Sequence, residues 1–238
     1  MLALIVPPLT LALRLPTNFP GSQVTQLEQA LLTQAASDDA RGTLRAFEAL
    51  EQAAPAPDDL LNDAEAAAAL DGRWALIATI AGQVGEEDLA TSGVSGVVNA
   101  SGLAIDASID SKPVQVVDVA GGRIANEVKF DLPLGGGRAY VRVAGEFERA
   151  PPPAPARRAL VEFDCLELFT AEGRRVLSLG WLFALIRTLR PALTNGADSS
   201  SWLETTYLSD RMRLGRGNKG SVFVLTRLDE DGPLPVDF

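Results

Sequence analysis

Residues 121–132 read GGRIANEVKFDL and contain the clearest strand pattern in the chain. From Ile124 onward, alternate residues form one mainly apolar face, while the residues between them are mostly charged. A period of two predicts a half-buried β-strand, and the two glycines before it predict a hairpin turn. The fold is therefore expected to be built on antiparallel sheet.

The same strand and turn rhythm continues on both sides of this stretch. Further strands are predicted at 73–80, 102–109, 114–119, 139–148, 159–168, 202–208, 212–214 and 222–226, with turns at 135–137 and 217–220 and a proline-rich connector at 151–155. About eight short strands at regular spacing indicate a barrel or a sandwich, and we expect a small antiparallel β-barrel.

The strand at 73–80 is apolar on both faces, which predicts a central position between a cavity or core and a layer of helices. Strict alternation would place four of its side chains on one face: Trp74, Leu76, Ala78 and Ile80.

The first third of the chain has helical periodicity instead. One apolar stripe is formed by Val24, Leu27, Leu31, Leu32 and Ala35, and a second by Leu44, Phe47 and Leu50. Prolines 55 and 57 end the second helix, and Asp58 or Asp59 is the predicted N-cap of an alanine-rich third helix that ends at Gly72. The expected layout is an N-terminal extension at 1–22, a helical region packing on the barrel at 23–70, and the barrel at 71–230.

Composition excludes several kinds of chemistry. The 238 residues include no histidine and one cysteine, Cys165, so this chain cannot build a Ser-His-Asp triad, a histidine-containing metal site or an intramolecular disulfide. Cys165 is expected to be a buried thiol. A net charge of −10 argues against nucleic acid as a partner, because clustered basic residues supply most of that affinity.

The apolar stretch at 2–13 is not expected to span a membrane. It is shorter than the roughly 20 residues that a bilayer requires, and Pro7 and Pro8 interrupt it. It also lacks the features of a secretory signal or a transit peptide. We expect either that no targeting segment is needed or that one has been removed.

Residues 215–220 match the pattern G-x-G-x-x-G, but a nucleotide site is not expected there. A dinucleotide fingerprint must open a helix, whereas the residues that follow, from Ser221 to Thr226, have the pattern of a strand. A kinase loop would require a catalytic histidine motif that this chain lacks. The glycines are therefore interpreted as a tight hairpin.

Gly72-Arg73-Trp74 resembles the Gly-x-Trp that opens lipocalin-type barrels. In such a position the indole would plug one end of the barrel beneath an arginine from a late strand, a cation–π contact. Arg213, Arg216 and Arg227 are the candidates for that arginine, and a simple core role for Trp74 is the alternative.

Basic residues cluster late in an otherwise acidic chain: Arg211, Arg213, Arg216 and Lys219. One interpretation is a solvated hairpin. The other is a basic lip for anionic headgroups or a ligand carboxylate, with Asp210 orienting one arginine.

The insertion at 180–193 combines aromatic and aliphatic residues with arginines. It could belong to the core, or it could lie in a membrane interface or on a partner. The contact residues expected in the second case are Trp181, Leu182, Phe183, Ile186, Arg187 and Arg190.

The chain resembles the plastid lipid-associated proteins, also called fibrillins or plastoglobulins, from about residue 23 to residue 228. The most specific match is residues 202–225, WLETTYLSDRMRLGRGNKGSVFVL, and earlier matches are Arg41-Gly42, residues 50–57, Gly72-Arg73-Trp74 and Asn126. The signature positions are Gly72, Asp210, Arg216, Gly217, Asn218 and Gly220. Ser209-Asp210-Arg211 departs from the more acidic family pattern, and small or aliphatic residues at 75–79 replace its usual aromatic.

The resemblance implies a lipocalin-like barrel that requires no cofactor or metal, catalyses no reaction and binds an apolar small molecule such as a carotenoid, a quinone or a fatty acid. It implies association with thylakoid membranes or plastoglobules of the chloroplast, or a location in a cyanobacterial cell if the source is prokaryotic. The ligand-binding residues expected on this basis are Trp74, Leu76, Val128, Phe130, Phe163, Tyr207 and Arg213.

Two other functions are kept as alternatives. One is a structural subunit docked on a photosynthetic membrane complex through the insertion and the barrel exterior. The other is an enzyme that uses Asp210 and Lys219.

Overall fold

Three helices precede nine strands in the computed structural model of the chain, which describes residues 21–37, 39–80, 112–131, 137–180, 201–218 and 220–229. The helices are α1 (Gly21–Ala36), α2 (Ala40–Ala53) and α3 (Ala64–Ala68). The strands are β1 (Gly72–Ile80), β2 (Val114–Asp118), β3 (Arg123–Asp131), β4 (Arg138–Arg149), β5 (Arg158–Thr170), β6 (Arg175–Ser178), β7 (Ser201–Leu208), β8 (Met212–Gly217) and β9 (Val222–Arg227).

Eight of these strands close into a ring. Antiparallel pairing runs in the order β4-β3-β2-β1-β9-β8-β7-β5, and β4 also pairs with β5 to complete the circle. β6 lies outside the ring and pairs only with β5 among the described strands. The predicted antiparallel, mainly β fold with N-terminal helices is confirmed. We refer to these eight strands as the strand ring.

Two irregularities change which face of the sheet a residue occupies. Leu76 pairs with Leu225 and Ala78 with Val224, so Ile77 is an extra residue in β1. Thr206 is likewise an extra residue in β7, because Thr205 pairs with Gly215 and Tyr207 with Leu214. Each bulge turns the residues that follow it to the opposite face.

The prediction that Ala78 and Ile80 share a face with Trp74 is therefore wrong. Trp74 and Leu76 lie in one buried cluster inside the ring, whereas Ala78 and Ile80 lie in another with the helices. β1 does lie between an interior and a layer of helices, as its two apolar faces predicted.

A third bulge lies where β4 meets β5. Ala144 pairs with Cys165 and Gly145 with Phe163, so Asp164 is the extra residue. The strands approach closely here, because a Cβ on Gly145 would lie 2.7 Å from the Phe163 Cα. Only glycine fits this position without a shift of the backbone.

The first two helices cover one outer wall of the ring. Leu31, Phe47 and Leu50 are fully buried against Leu214 and Val224. Tyr207 joins this layer and donates a hydrogen bond to Glu28 Oε1 at 2.7 Å. Burial and this carboxylate raise the pKa of Tyr207. The predicted apolar stripes of both helices are confirmed.

The segment at 54–71 closes one end of the ring, which we call the closed end. Leu60 and Leu70 are buried there with Trp74, and the Ala56 N–H donates to the Thr206 carbonyl. The third helix begins later than predicted, because residues 58–63 form turns after Pro57. Its N-cap is Asp63, which accepts from Glu65 and Ala66, rather than Asp58 or Asp59.

Buried ion pairs cross the wall formed by strands β1 to β5. Glu127 accepts from Arg73 at 2.6 Å and from Arg142 at 2.7 Å. Arg142 also lies 3.9 Å from Glu167, which pairs with Arg175 at 2.7 Å. Arg142 is 1% exposed, so its charge is held in the protein interior.

One further difference from the predicted strands is β6, the short strand before the insertion, which was not predicted. The predicted strand at 102–109 lies outside the described residues. So does nearly all of the predicted insertion, from residue 181 to residue 193.

Candidate functional site

A cavity of about 320 Å³ lies inside the strand ring. Most of its lining is apolar, including Leu76, Ile124, Val161, Phe163, Leu203, Phe223 and Leu225. Its polar lining groups include the side chains of Gln115, Asn126 and Arg213. The cavity therefore combines an apolar wall with a few polar groups, an arrangement typical of small-molecule sites.

In the part of the chain that the structure describes, the cavity opens at the end of the ring opposite the closed end. Pro113, Ser201, Asn218 and Ser221 line it, and they lie where β2, β7 and β9 begin and β8 ends. Antiparallel pairing brings these strand ends to the same side of the ring. We refer to this side as the open end.

Alternation along β8 and β9 places the lining residues. Arg213, Gly215 and Gly217 face the cavity, while Met212 and Leu214, which alternate with them, face the helices. In β9, Phe223 and Leu225 face the cavity, and their neighbours Val222 and Val224 pack outward. Glycine at position 217 lets the Phe223 ring pack against the backbone of β8, since a Cβ on Gly217 would lie 3.2 Å from that ring.

Among the described residues that line this cavity, Arg213 is the only one with a charged side chain. It is 3% exposed, and its Nη2 donates to Gln115 Oε1. Gln115 Nε2 in turn donates to Asn126 Oδ1 at 3.1 Å. Burial and the nearby charge of Arg227 lower the pKa of Arg213 to about 9. The guanidinium therefore remains a cation at neutral pH.

Trp74 forms the floor of the site beside two arginines. The guanidinium carbon of Arg213 lies 5.2 Å from the indole centroid and that of Arg227 lies 4.1 Å away. The indole N–H donates to the Leu70 carbonyl at 2.9 Å, which ties the ring to the closed end. The predicted arginine stacking on Trp74 is confirmed for Arg213 and Arg227, whereas Arg216 lies over Phe47 instead.

Three of the seven predicted ligand-binding residues line the cavity: Leu76, Phe163 and Arg213. Trp74 is fully buried beneath it. Val128 and Phe130 are half-buried and lie farther along β3 than the lining residues Ile124 and Asn126. The bulge in β7 turns Tyr207 away from the cavity and toward the helices.

The late basic residues do not form one surface. Arg213 is inside the ring, Arg216 pairs with Glu51 at 2.6 Å, and Arg211 pairs with Glu28 at 3.4 Å. The backbone oxygen of Asp210, rather than its carboxylate, accepts from Arg227 Nε at 2.9 Å. Lys219 lies outside the described residues.

The glycine-rich stretch is a hairpin, as predicted. It joins β8 to β9, and the Gly220 N–H donates to the Gly217 carbonyl at 2.9 Å. Gly220 has a φ of 75° and Gly72 a φ of 110°, values that favour glycine. Gly217 and Asn218 also line the cavity.

The predicted contact residues of the insertion, from Trp181 to Arg190, lie outside the described residues. Within the ranges that the structure describes, none of the helices combines the length and hydropathy needed to cross a membrane.

Sequence reasoning missed several residues that line the cavity. Gln115 and Asn126 are polar groups at inward-facing positions of two paired strands. Their signal in the sequence is a polar residue on the apolar face of a strand, as Asn126 is within residues 124–132. Leu203, Phe223 and Leu225 could be assigned to the cavity only once the pairing register was known.

Comparison with known proteins identifies one relationship. The PAP_fibrillin family model matches residues 24–226, which is most of the chain and runs from within α1 to the next-to-last residue of β9. No curated protein and no solved structure matches the chain.

Proposed function

Because the chain belongs to the PAP_fibrillin family of plastid lipid-associated proteins, we propose that its strand ring is a lipocalin-like barrel that binds one apolar small molecule. The site acts by binding rather than by catalysis. Membership of the family implies association with plastid lipids, and the ligand is a lipid, a pigment or a quinone of that environment.

The cavity is the observation that carries this proposal. A ring of eight strands is just wide enough either to be filled by side chains or to hold one small ligand. Here a cavity of about 320 Å³ remains inside the ring, and the wall around it is largely apolar. Transfer of an apolar molecule from water to such a wall is favourable by about 25 cal/mol per Å² buried.

Cavity size favours a short or slender ligand. A volume of about 320 Å³ is at the lower end of the roughly 300–1,000 Å³ typical of ligand sites. A single acyl chain or the head of a quinone suits this volume. A carotenoid or a long prenyl tail would extend past the open end.

The proposed setting is the surface of thylakoid membranes or plastoglobules. A ligand that extends past the open end could be exchanged with lipid there without unfolding of the ring. Docking on a photosynthetic complex is the alternative function. It predicts a protein that migrates with a large assembly and binds no ligand.

Filling the cavity tests the proposal. Val161→Trp places a large side chain on the cavity wall, whereas Val176→Trp makes the same change in β6, where Val176 is 62% exposed. We expect V161W to weaken binding of the neutral fluorescent probe N-phenylnaphthylamine by at least about 10-fold, equivalent to about 1.4 kcal/mol. V176W should bind as the wild type does, and equal binding by both variants would place the probe outside the cavity.

A further inference from the structure

The guanidinium of Arg213 is a buried cation that has no anionic partner among the described residues. In the part of the chain that the structure describes, no carboxylate lies within ion-pair distance of it, and its acceptor is the neutral amide of Gln115. The other strongly buried arginines differ. Arg73 and Arg142 each pair with Glu127 inside the protein.

A buried charge is unfavourable unless it is paired, because it has lost the solvation of water. The chain has 31 acidic residues, and one of them, Glu127, pairs with Arg73 and Arg142 in the wall formed by strands β1 to β5. The arginine inside the cavity is instead left facing the space where a ligand would lie. The missing negative charge is therefore expected to come with the ligand.

We propose that Arg213 binds the carboxylate of an acyl-chain ligand held in the cavity, an inference that rests on the proposed function. The carboxylate would accept N–H donors of the guanidinium, a charge-assisted geometry that arginine forms with both carboxylate oxygens. Apolar lining residues such as Val161 and Phe223 would enclose the acyl chain of the ligand.

Among the described residues, Arg213 is the only cation that lines the cavity. Arg227, the other arginine over Trp74, donates its N–H groups to the carbonyls of Asp210, Asp71 and Ala69 and does not line the cavity. A single guanidinium matches the single charge of a carboxylate better than the higher charge of a phosphate monoester.

The position of Arg213 also sets the direction of the ligand. Arg213 is near the start of β8, beside Trp74 and the closed end, while Gly217 and Asn218 lie at the open end of the same hairpin. The head of the ligand would therefore lie deepest and its chain would run toward the open end. The lowered pKa of Arg213 is consistent with a cation that has no counterion.

Competition between palmitate and methyl palmitate tests this inference. Both carry the same chain and a carbonyl group, but only palmitate is charged, and each is used to displace N-phenylnaphthylamine. Hydrogen bonds to a charged group contribute about 1.5–3 kcal/mol, so palmitate should compete at about 10- to 100-fold lower concentration. Arg213→Met should remove this preference, so that palmitate and methyl palmitate compete at concentrations within about 2-fold of each other.

Arg211→Met is the matched control, because Arg211 is two residues away and its side chain is 73% exposed. It should retain the preference for palmitate. Equal competition by palmitate and methyl palmitate in the wild type would overturn the role of Arg213 even if the variant failed to fold. If the wild type bound none of palmitate, methyl palmitate and N-phenylnaphthylamine, the proposed function would be overturned as well.

Discussion

Replacing Arg142 with methionine is expected to lower the free energy of unfolding by about 3–5 kcal/mol, the usual effect of removing one member of a buried ion pair. Arg142 is 1% exposed and lies between Glu127 and Glu167. Without it, two carboxylates that are each 5% exposed would lose a cation. The melting temperature should fall by roughly 6–20 °C for a domain of this size.

Arg213→Met is the matched comparison, since it removes a second buried arginine from the same sheet. No described carboxylate depends on Arg213, and an unpaired buried charge is itself unfavourable, so its removal relieves a desolvation cost. We expect the melting temperature to stay at the wild-type value or rise. A fall as large as that of Arg142→Met would show that Arg213 has a structural role instead of a ligand-binding one.

Trp74→Ala should lower the free energy of unfolding by a similar amount, about 3–5 kcal/mol. Trp74 is fully buried at the floor of the cavity, and its N–H holds the Leu70 carbonyl. The substitution would also remove the aromatic ring that both Arg213 and Arg227 contact. Chemical denaturation of the purified variant measures the change.

Trp202→Ala provides the matched control for that experiment. Trp202 lines the open end, is only half-buried and stacks under Arg158 with the guanidinium carbon 4.0 Å from its ring. Its removal should lower stability by much less than that of Trp74. Equal losses for the two tryptophans would contradict the account of Trp74 as the floor of the ring.

Local pattern was sufficient to predict most elements. The alternation at 124–132 and the apolar stripes of the first two helices depend only on neighbouring residues, and the structure has strands and helices there. The stacking of a late arginine on Trp74 was also predicted, from the resemblance of Gly72-Arg73-Trp74 to the Gly-x-Trp that opens lipocalin-type barrels.

Register was not predictable, because it depends on pairing between distant segments. The extra residues Ile77 and Thr206 create bulges that no local pattern marks, and they place Tyr207 against the helices. The hydrogen-bonded group of Arg213, Gln115 and Asn126 also depends on pairing between distant segments. Arg213 and Gln115 are 98 positions apart and meet only after the ring closes.

The most direct test of the binding account is mass spectrometry of the organic extract from protein purified gently from its native source, after its apparent size has been recorded. The account predicts a small particle that carries about one single-chain carboxylic acid per polypeptide. A protein without any extractable ligand, migrating with a large membrane complex, would contradict the account and favour a structural subunit.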